Sequence, residues 1–230
     1  NPCDIQEIRE QAQCGTPPEF DAFFAQPGRI VASMGREHDV KGFWHLIKAV
    51  SLVRKKVPDV RLMIIGEGRY EAYRKLAQEL GMQDAVLFTG VQSNPFALLR
   101  KADVYALTSQ SEGFPNALIE AMAVGLPCVS VNCLTGPAEI LHEAYETCGD
   151  ENQTIYADYG ILTGVFHGEK DLRADTVTAE EKRFARQLTA LFVDDTVYRR
   201  YQEAAHVRAE AFGMERYRCA VRDLIQEDVP

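Results

Sequence analysis

Four charged side chains stand out by type and spacing. Arg36 and Lys41 share the segment "SMGREHDVKG" (33–42), and Glu112 and Glu120 bracket the helix start in "SEGFPNALIEAM" (111–122). Arginine offers a planar fork of donors and lysine a compact point charge, a pair suited to a diphosphate. Pro115 opens an apolar helix, where its missing N–H would be unpaired anyway. The next free donors are then the N–H groups of Asn116, Ala117 and Leu118, at a helix end that favours anions. An ionised carboxylate accepts from two adjacent hydroxyls at once. Glu112 in the loop and Glu120 more than a turn into the helix can therefore hold the vicinal hydroxyls of two sugars, one on each side of a phosphate. Taken singly, each feature has an ordinary reading: a water-capped helix start, solvated loop cations, a helical surface acid. Glu120, flanked by "LI" and "AMA", reads as semi-buried, and a buried acid needs partners.

The elements that must position these residues alternate regularly. Short apolar runs at 29–35, 60–66, 85–90, 103–108 and 127–131 read as buried strands. The segments 42–57, 70–81, 94–102 and about 115–125 between them carry helical periodicity. Apolar strands alternating with amphipathic helices predict an α/β fold, a Rossmann-like doubly wound parallel sheet covered on both faces. In such sheets ligands bind beyond the carboxyl ends of strands, so the loops after Gly35, Gly66, Gly90 and Thr108 are the ones to inspect. Arg36, Lys41 and Glu112 all fall on two of them, and the combination predicts a nucleotide-sugar site.

The flanks are less regular. Residues 1–28 hold a short polar helix and two Pro-bearing breaks, and do not read as core. Residues 143–158 read as an excursion or loop, "YGILT" (159–163) as a last edge strand, and 176–230 as a C-terminal helical tail broken at Phe212-Gly213. The expected division is 1–28 linker remnant and short helix, 29–175 Rossmann-like binding domain, 176–230 helices packing on it or returning elsewhere.

Composition narrows the class. With 230 residues and 46% hydrophobic content the chain can build a proper core. A net charge of −9 and the lack of a Lys/Arg block argue against nucleic acid. No apolar run approaches the roughly 18–20 residues of a membrane span, and no secretory signal opens the sequence. The six cysteines, Cys3, Cys14, Cys128, Cys133, Cys148 and Cys219, form no CxxC pair and match no zinc template. Reduced thiols in a cytoplasmic protein are the simplest reading. "GEGRYEA" has only two glycines of a dinucleotide fingerprint and follows a middle strand, which disfavours a dehydrogenase.

The Glu-x₇-Glu element "EGFPNALIE", in order with "SMGREHDVKGF", "LMIIGEG", "VLFTGV", "ADVYALTSQSEG" and "EAMAVGLPCVS", resembles the C-terminal, donor-binding domain of family-4 retaining glycosyltransferases of GT-B fold (glycosyl transferases group 1). The resemblance covers about 29–142. It implies that Arg36 and Lys41 hold the donor diphosphate and stabilise the leaving group, that Glu112 contacts the donor sugar, and that Glu120 binds the ribose. It further implies that Asn116 and Ala117 give backbone donors to phosphate, and that Gly90 and Val91 line the base, with UDP the expected nucleotide.

No cofactor or metal is expected, because the Arg/Lys pair does the electrostatic work a divalent ion does elsewhere; the sequence has no Asp-x-Asp triplet. "NPCD" resembles the Asn-Pro-x-Asp after the family's interdomain linker, and "FGMERYRCAVRDLI" its closing helix. A glycan or lipid-linked acceptor would then be bound by an N-terminal domain outside these residues, which could also bring the protein to the inner face of a membrane. The family often has Gly where Pro115 stands, and none of the five histidines matches a catalytic role, His45 reading as packing or surface. A non-catalytic nucleotide-sugar-binding module serving a partner subunit, or another GT-B enzyme such as a sugar-nucleotide epimerase, are the alternatives.

Overall fold

A computed structural model gives the structure of residues 3–133, 135–147 and 153–227. Asn1 and Pro2 of "NPCD", and Cys148 with most of the middle of the 143–158 excursion, lie outside the described residues. In chain order the strands are β1 (Ile30–Met34), β2 (Arg61–Ile65), β3 (Val86–Phe88), β4 (Val104–Leu107), β5 (Cys128–Val131), β6 (Ile155–Tyr156) and β7 (Ile161–Thr163). The helices are α1 (Ile5–Ala12), α2 (Asp21–Phe24), α3 (Phe43–Arg54), α4 (Glu71–Glu79), α5 (Pro95–Leu99), α6 (Asn116–Ala123), α7 (Pro137–Leu141), α8 (Ala179–Val193), α9 (Asp195–Glu210) and α10 (Met214–Glu227).

The strands form one sheet in the order β3-β2-β1-β4-β5-β7-β6, parallel except for β6. This is the expected doubly wound α/β sheet. From β1 the chain steps outward to β2 and β3, then returns to place β4 on the other side of β1. The loops after β1 and β4 therefore diverge and leave a crevice between them, where such folds bind ligands.

Alternation along each strand builds two cores. Val31, Leu62, Ile64, Val104, Ala106 and Val129 face α3, α4 and α8, while Ile30, Ala32, Met63, Tyr105, Leu107 and Cys128 face α1, α5, α6 and α7. Successive side chains of a strand point to opposite faces, so a run buried on both must be apolar throughout. Helix α9 contributes Tyr201 to the first core and Ala205 and Ala209 to the second. Helix α8 packs on α3, and α9 on α6.

Two expectations about the flanks are corrected. Residues 3–28 are not outside the core: Cys3, Ile5, Ile8, Ala12, Phe20 and Phe23 are buried, and α1 packs on α5 and α6. Arg61, itself buried, reaches back to hold this segment, donating to the carbonyls of Phe23 and Gln26 and lying over the Phe23 ring. The excursion also contains β6, antiparallel to β7, so 161–163 is an interior strand and β6 forms the edge. The expected break near Gly213 is present, and there the chain's two ends meet. The Cys3 N–H donates to the Phe212 carbonyl and the Met214 N–H to that of Cys3, both at 3.1 Å. The five described cysteines, which include Cys14, Cys133 and Cys219, are free thiols.

Candidate functional site

The loop after β1 is held from below by the loop after β2. Gly66 (φ 144°) approaches so closely that a Cβ on it would lie 2.1 Å from the Gly35 carbonyl oxygen. Glu37 accepts from the Arg69 and Tyr70 N–H groups at 2.8 Å each, which fastens the loop to the start of α4. The Tyr70 hydroxyl lies among the carbonyls of Gly35, Gly66 and Glu67, and burial, with Glu37 adding, pushes its phenol up to about 12.

The same loop is zipped to the loop after β4. Gln110 N–H donates to the Val40 carbonyl at 2.8 Å, and the Thr108 hydroxyl to the Lys41 carbonyl at 2.9 Å. Gly42, left-handed at φ 61°, sits where a Cβ would come 2.4 Å from the Thr108 carbonyl oxygen, so only glycine permits this approach. The outcome is a direct ion pair: Lys41 Nζ lies 2.7 Å from Glu112 Oε1, with the side chains 25% and 12% exposed.

A third loop, after β5, closes on Glu112 from the far side. The Thr135 hydroxyl donates to the Glu112 carbonyl at 2.9 Å. Gly136 (φ 80°) packs so tightly on the Glu112 loop that a Cβ would fall 2.4 Å from the Gly113 carbonyl oxygen. Thr135 itself holds a positive φ of 64°, unusual for a β-branched residue and a sign that its placement is enforced. Phe114 rests edge-on against Phe212 at 5.5 Å, and Arg208 covers Phe212 while donating to the carbonyls of Glu139 and Ile140. The end of α9 and the turn that follows it thus brace the acid-bearing loop.

These loops enclose an open cavity of about 400 Å³. Gly35, Arg36, Lys41, Glu112, Asn116 and Ala117 line it, over a floor that includes Met34 and Leu107. The Arg36 guanidinium is exposed and has no hydrogen-bond or ion-pair partner among the described residues. A groove of about 460 Å³ beside α4 and β3 is larger, but its Glu71, Arg74 and Lys75 mix signs and do not converge.

Pro115 is the N-cap rather than the first helical residue, so α6 begins at Asn116. The N–H groups of Asn116 and Ala117 point out of the helix start without a described partner, whereas Leu118 N–H donates to the Pro115 carbonyl at 2.9 Å. The Leu118 N–H, expected to be free, is thus taken by a tight i→i−3 bond to the N-cap carbonyl, which leaves Asn116 and Ala117 as the open donors of the three. Gly90 and Val91 lie at the same end of the sheet but two strands away, outside the cavity. The Gly90 carbonyl accepts from Gly66 N–H at 3.1 Å, and Val91 is 73% exposed.

Glu120 also lies outside the cavity lining, one turn along α6. It is half-buried, its carboxyl makes no hydrogen bond to a described residue, and burial holds that carboxyl above the usual carboxylate range. Its charge adds to the burial that raises the Cys3 thiol and the Tyr105 phenol. An acid raised in the folded state loses stability as pH rises through its folded pKa. Glu120→Gln is thus expected to raise the Tm at pH 7 by roughly 2 °C. The gain should fade as pH falls below the ordinary glutamate value of about 4.3 and the wild-type acid becomes protonated in both states; thermal melts across pH check this.

His45 proves to be a packing residue. Its Nδ1 is 2.7 Å from Glu181 Oε1 with both side chains buried, and its ring stacks on Phe166 at 4.1 Å. Glu37, Thr135, Gly136 and Phe114 shape the site without any signal at sequence level, apart from the glycine preceding Pro137, and Thr108 is legible there only as a strand end. No three His, Cys, Asp or Glu side chains stand together to hold a metal, and no helix is long and apolar enough to cross a membrane, among the described residues.

Fold and crevice together define a doubly wound α/β domain with an anion-ready switch point. The profile of the family described as "Glycosyl transferases group 1" matches residues 19–159, and the chain belongs to that family, as the C-terminal domain of its GT-B architecture. An uncharacterized glycosyltransferase of Methanocaldococcus jannaschii is 33% identical over 191 residues, 81% of this chain and 47% of that protein. The lipopolysaccharide 1,6-galactosyltransferase of Salmonella typhimurium is 32% identical over 129 residues, 54% of this chain and 36% of that protein. The chain thus spans less than half the length of these curated relatives. The crystal structure of Anabaena HepE in complex with UDP superposes with a TM-score of 0.74 at 18% identity, covering 99% of this chain and 56% of HepE, a likeness of fold.

Proposed function

We propose that this domain binds the donor of a retaining glycosyltransferase, a nucleotide diphosphate sugar with UDP as the nucleotide, for transfer to a glycan, lipid-linked or polysaccharide acceptor held by an N-terminal domain. The observation that carries the reading is the convergence of Arg36, Lys41 and the free N–H groups of Asn116 and Ala117 on one cavity at the switch point. The diphosphate would lie on these donors, with Glu112 beside the donor sugar, Glu120 accepting from the ribose, and Gly90 and Val91 against the base. Relatives support the chemistry: HepE has been solved with UDP and with UDP-glucose, and the Salmonella protein is named for galactosyl transfer to lipopolysaccharide.

In the transfer step the bond between the anomeric carbon and the β-phosphate oxygen breaks. The acceptor oxygen bonds to the same face of that carbon, and its proton passes to the departing phosphate. Arg36, Lys41 and the start of α6 stabilise the charge that grows on the leaving diphosphate, the part a divalent ion plays elsewhere, so no metal or cofactor is required. Calorimetric titration of the chain with UDP, GDP and ADP tests the proposal. UDP should bind most tightly; tighter GDP or ADP binding would move the donor class, and binding of none would remove the assignment.

A further inference from the structure

Resting on the donor-site reading above, we infer that Glu112, as the built-in counter-ion of Lys41, makes this site discriminate against the bare nucleoside diphosphate in favour of the sugar-bearing nucleotide. The pair is a fixed feature of the crevice. Its 2.7 Å contact is largely shielded from water. The Gln110–Val40 and Thr108–Lys41 hydrogen bonds lock the two loops together, and Thr135 fixes the Glu112 backbone from behind. An anion that reaches Lys41 therefore meets a carboxylate that cannot be drawn aside by moving one loop alone.

The local charge inventory then sets the preference. Arg36 supplies one free positive charge, and Lys41 is already balanced by Glu112. Glu37 is engaged by the Arg69 and Tyr70 amides, and burial pushes the Cys133 thiol beneath the site up to about 11, so it stays neutral. A β-phosphate esterified to a sugar carries one negative charge. The terminal phosphate of a free nucleoside diphosphate carries nearly two above its second ionisation at about 6. With Arg36 answering the first charge, that extra charge finds no second unpaired cation among the described residues lining the cavity and is repelled by Glu112, at close range in a partly desolvated site. The sugar-bearing donor lacks the extra charge and gives Glu112 hydroxyls to accept from. The same acid that meets the donor sugar thus hastens departure of the spent nucleotide.

The test is calorimetric titration of wild type, Glu112→Gln, Glu112→Ala and Glu112→Asp with UDP and with UDP-glucose at pH 7.5, at low and physiological salt. Glu112→Gln and Glu112→Ala are each expected to tighten UDP by about tenfold, with UDP-glucose gaining less, and the effect should shrink at the higher salt. Glu112→Asp, which keeps the charge, should stay near the wild-type ratio. Unchanged or weaker UDP binding in both neutral variants, with wild type still binding UDP, would overturn the counter-ion role alone. Failure of wild type to bind UDP at all would overturn the donor-site reading and this inference with it.

Discussion

Lys41→Met is expected to weaken UDP binding by about 100- to 1000-fold, a larger loss than the roughly 10- to 100-fold expected of Arg36→Ala. Both variants delete one cation from the cavity, but they leave different surroundings. Arg36 is exposed and unpartnered, so its removal loses a charge-assisted bond and leaves nothing stranded. Lys41 is the ion-pair partner of Glu112, whose side chain is only 12% exposed. Without the ammonium, that carboxylate becomes an uncompensated anion where the diphosphate must lie. Truncating one member of a shielded pair leaves the other's charge as a penalty on top of the lost contact. The ordering of the two variants by titration is therefore diagnostic. Equal losses would mean that the ion pair has no part in holding the nucleotide.

Glu181→Ala is expected to lower the unfolding free energy by about 3–5 kcal/mol, which is large against a typical total of 5–15 kcal/mol. Glu181 is fully buried and does two things at once. One carboxylate oxygen meets His45 Nδ1 at 2.7 Å. The other accepts from Thr178 N–H at 2.9 Å, and the Thr178 hydroxyl accepts in turn from Glu181 N–H, closing a capping box at the start of α8. Alanine removes the side-chain half of that box, leaving the Thr178 N–H unpaired, and strands a buried imidazole against Phe166. Glu181→Gln keeps a carbonyl oxygen for the Thr178 N–H and offers its NH2 to His45, whose Nδ1 accepts in the other neutral tautomer, so it should lose markedly less. Urea unfolding measures both: a lower midpoint with an unchanged slope would report lost stability rather than a changed denatured state.

What the sequence made legible follows from which forces act locally. Strands buried on both faces have to be apolar throughout, so β1, β2, β4 and β5 were readable as runs, and the parallel sheet followed from the helices between them. Arg36, Lys41 and Glu112 were readable because two strand ends and the topology rule already fixed where a ligand would lie. The pairing of Lys41 with Glu112 was not, because it depends on residues 71 apart being drawn together by Gly42, Thr108 and Gln110. Residues 3–28 were misjudged for a similar reason: Ile5, Ile8 and Ala12 form only a narrow stripe among polar residues, and it is Arg61, far along the chain, that anchors Phe23 and Gln26. The short β6 carries too little pattern to announce itself and exists through its pairing with β7. That the Leu118 N–H is taken by the Pro115 carbonyl is a matter of how tightly the first turn closes, a level of detail that sequence determines least.

The crevice between the loops after β1 and β4 is proposed to hold a nucleoside diphosphate. Amide chemical shifts of the isotope-labelled chain, followed while UDP is added, test it most directly. Saturable shifts are expected, largest at Asn116, Ala117, Arg36 and Lys41 and smaller at Gly90 and Val91. Shifts confined to the opposite end of the sheet, around Gln26, Arg54 and Asp84, or none at saturating UDP, would contradict it.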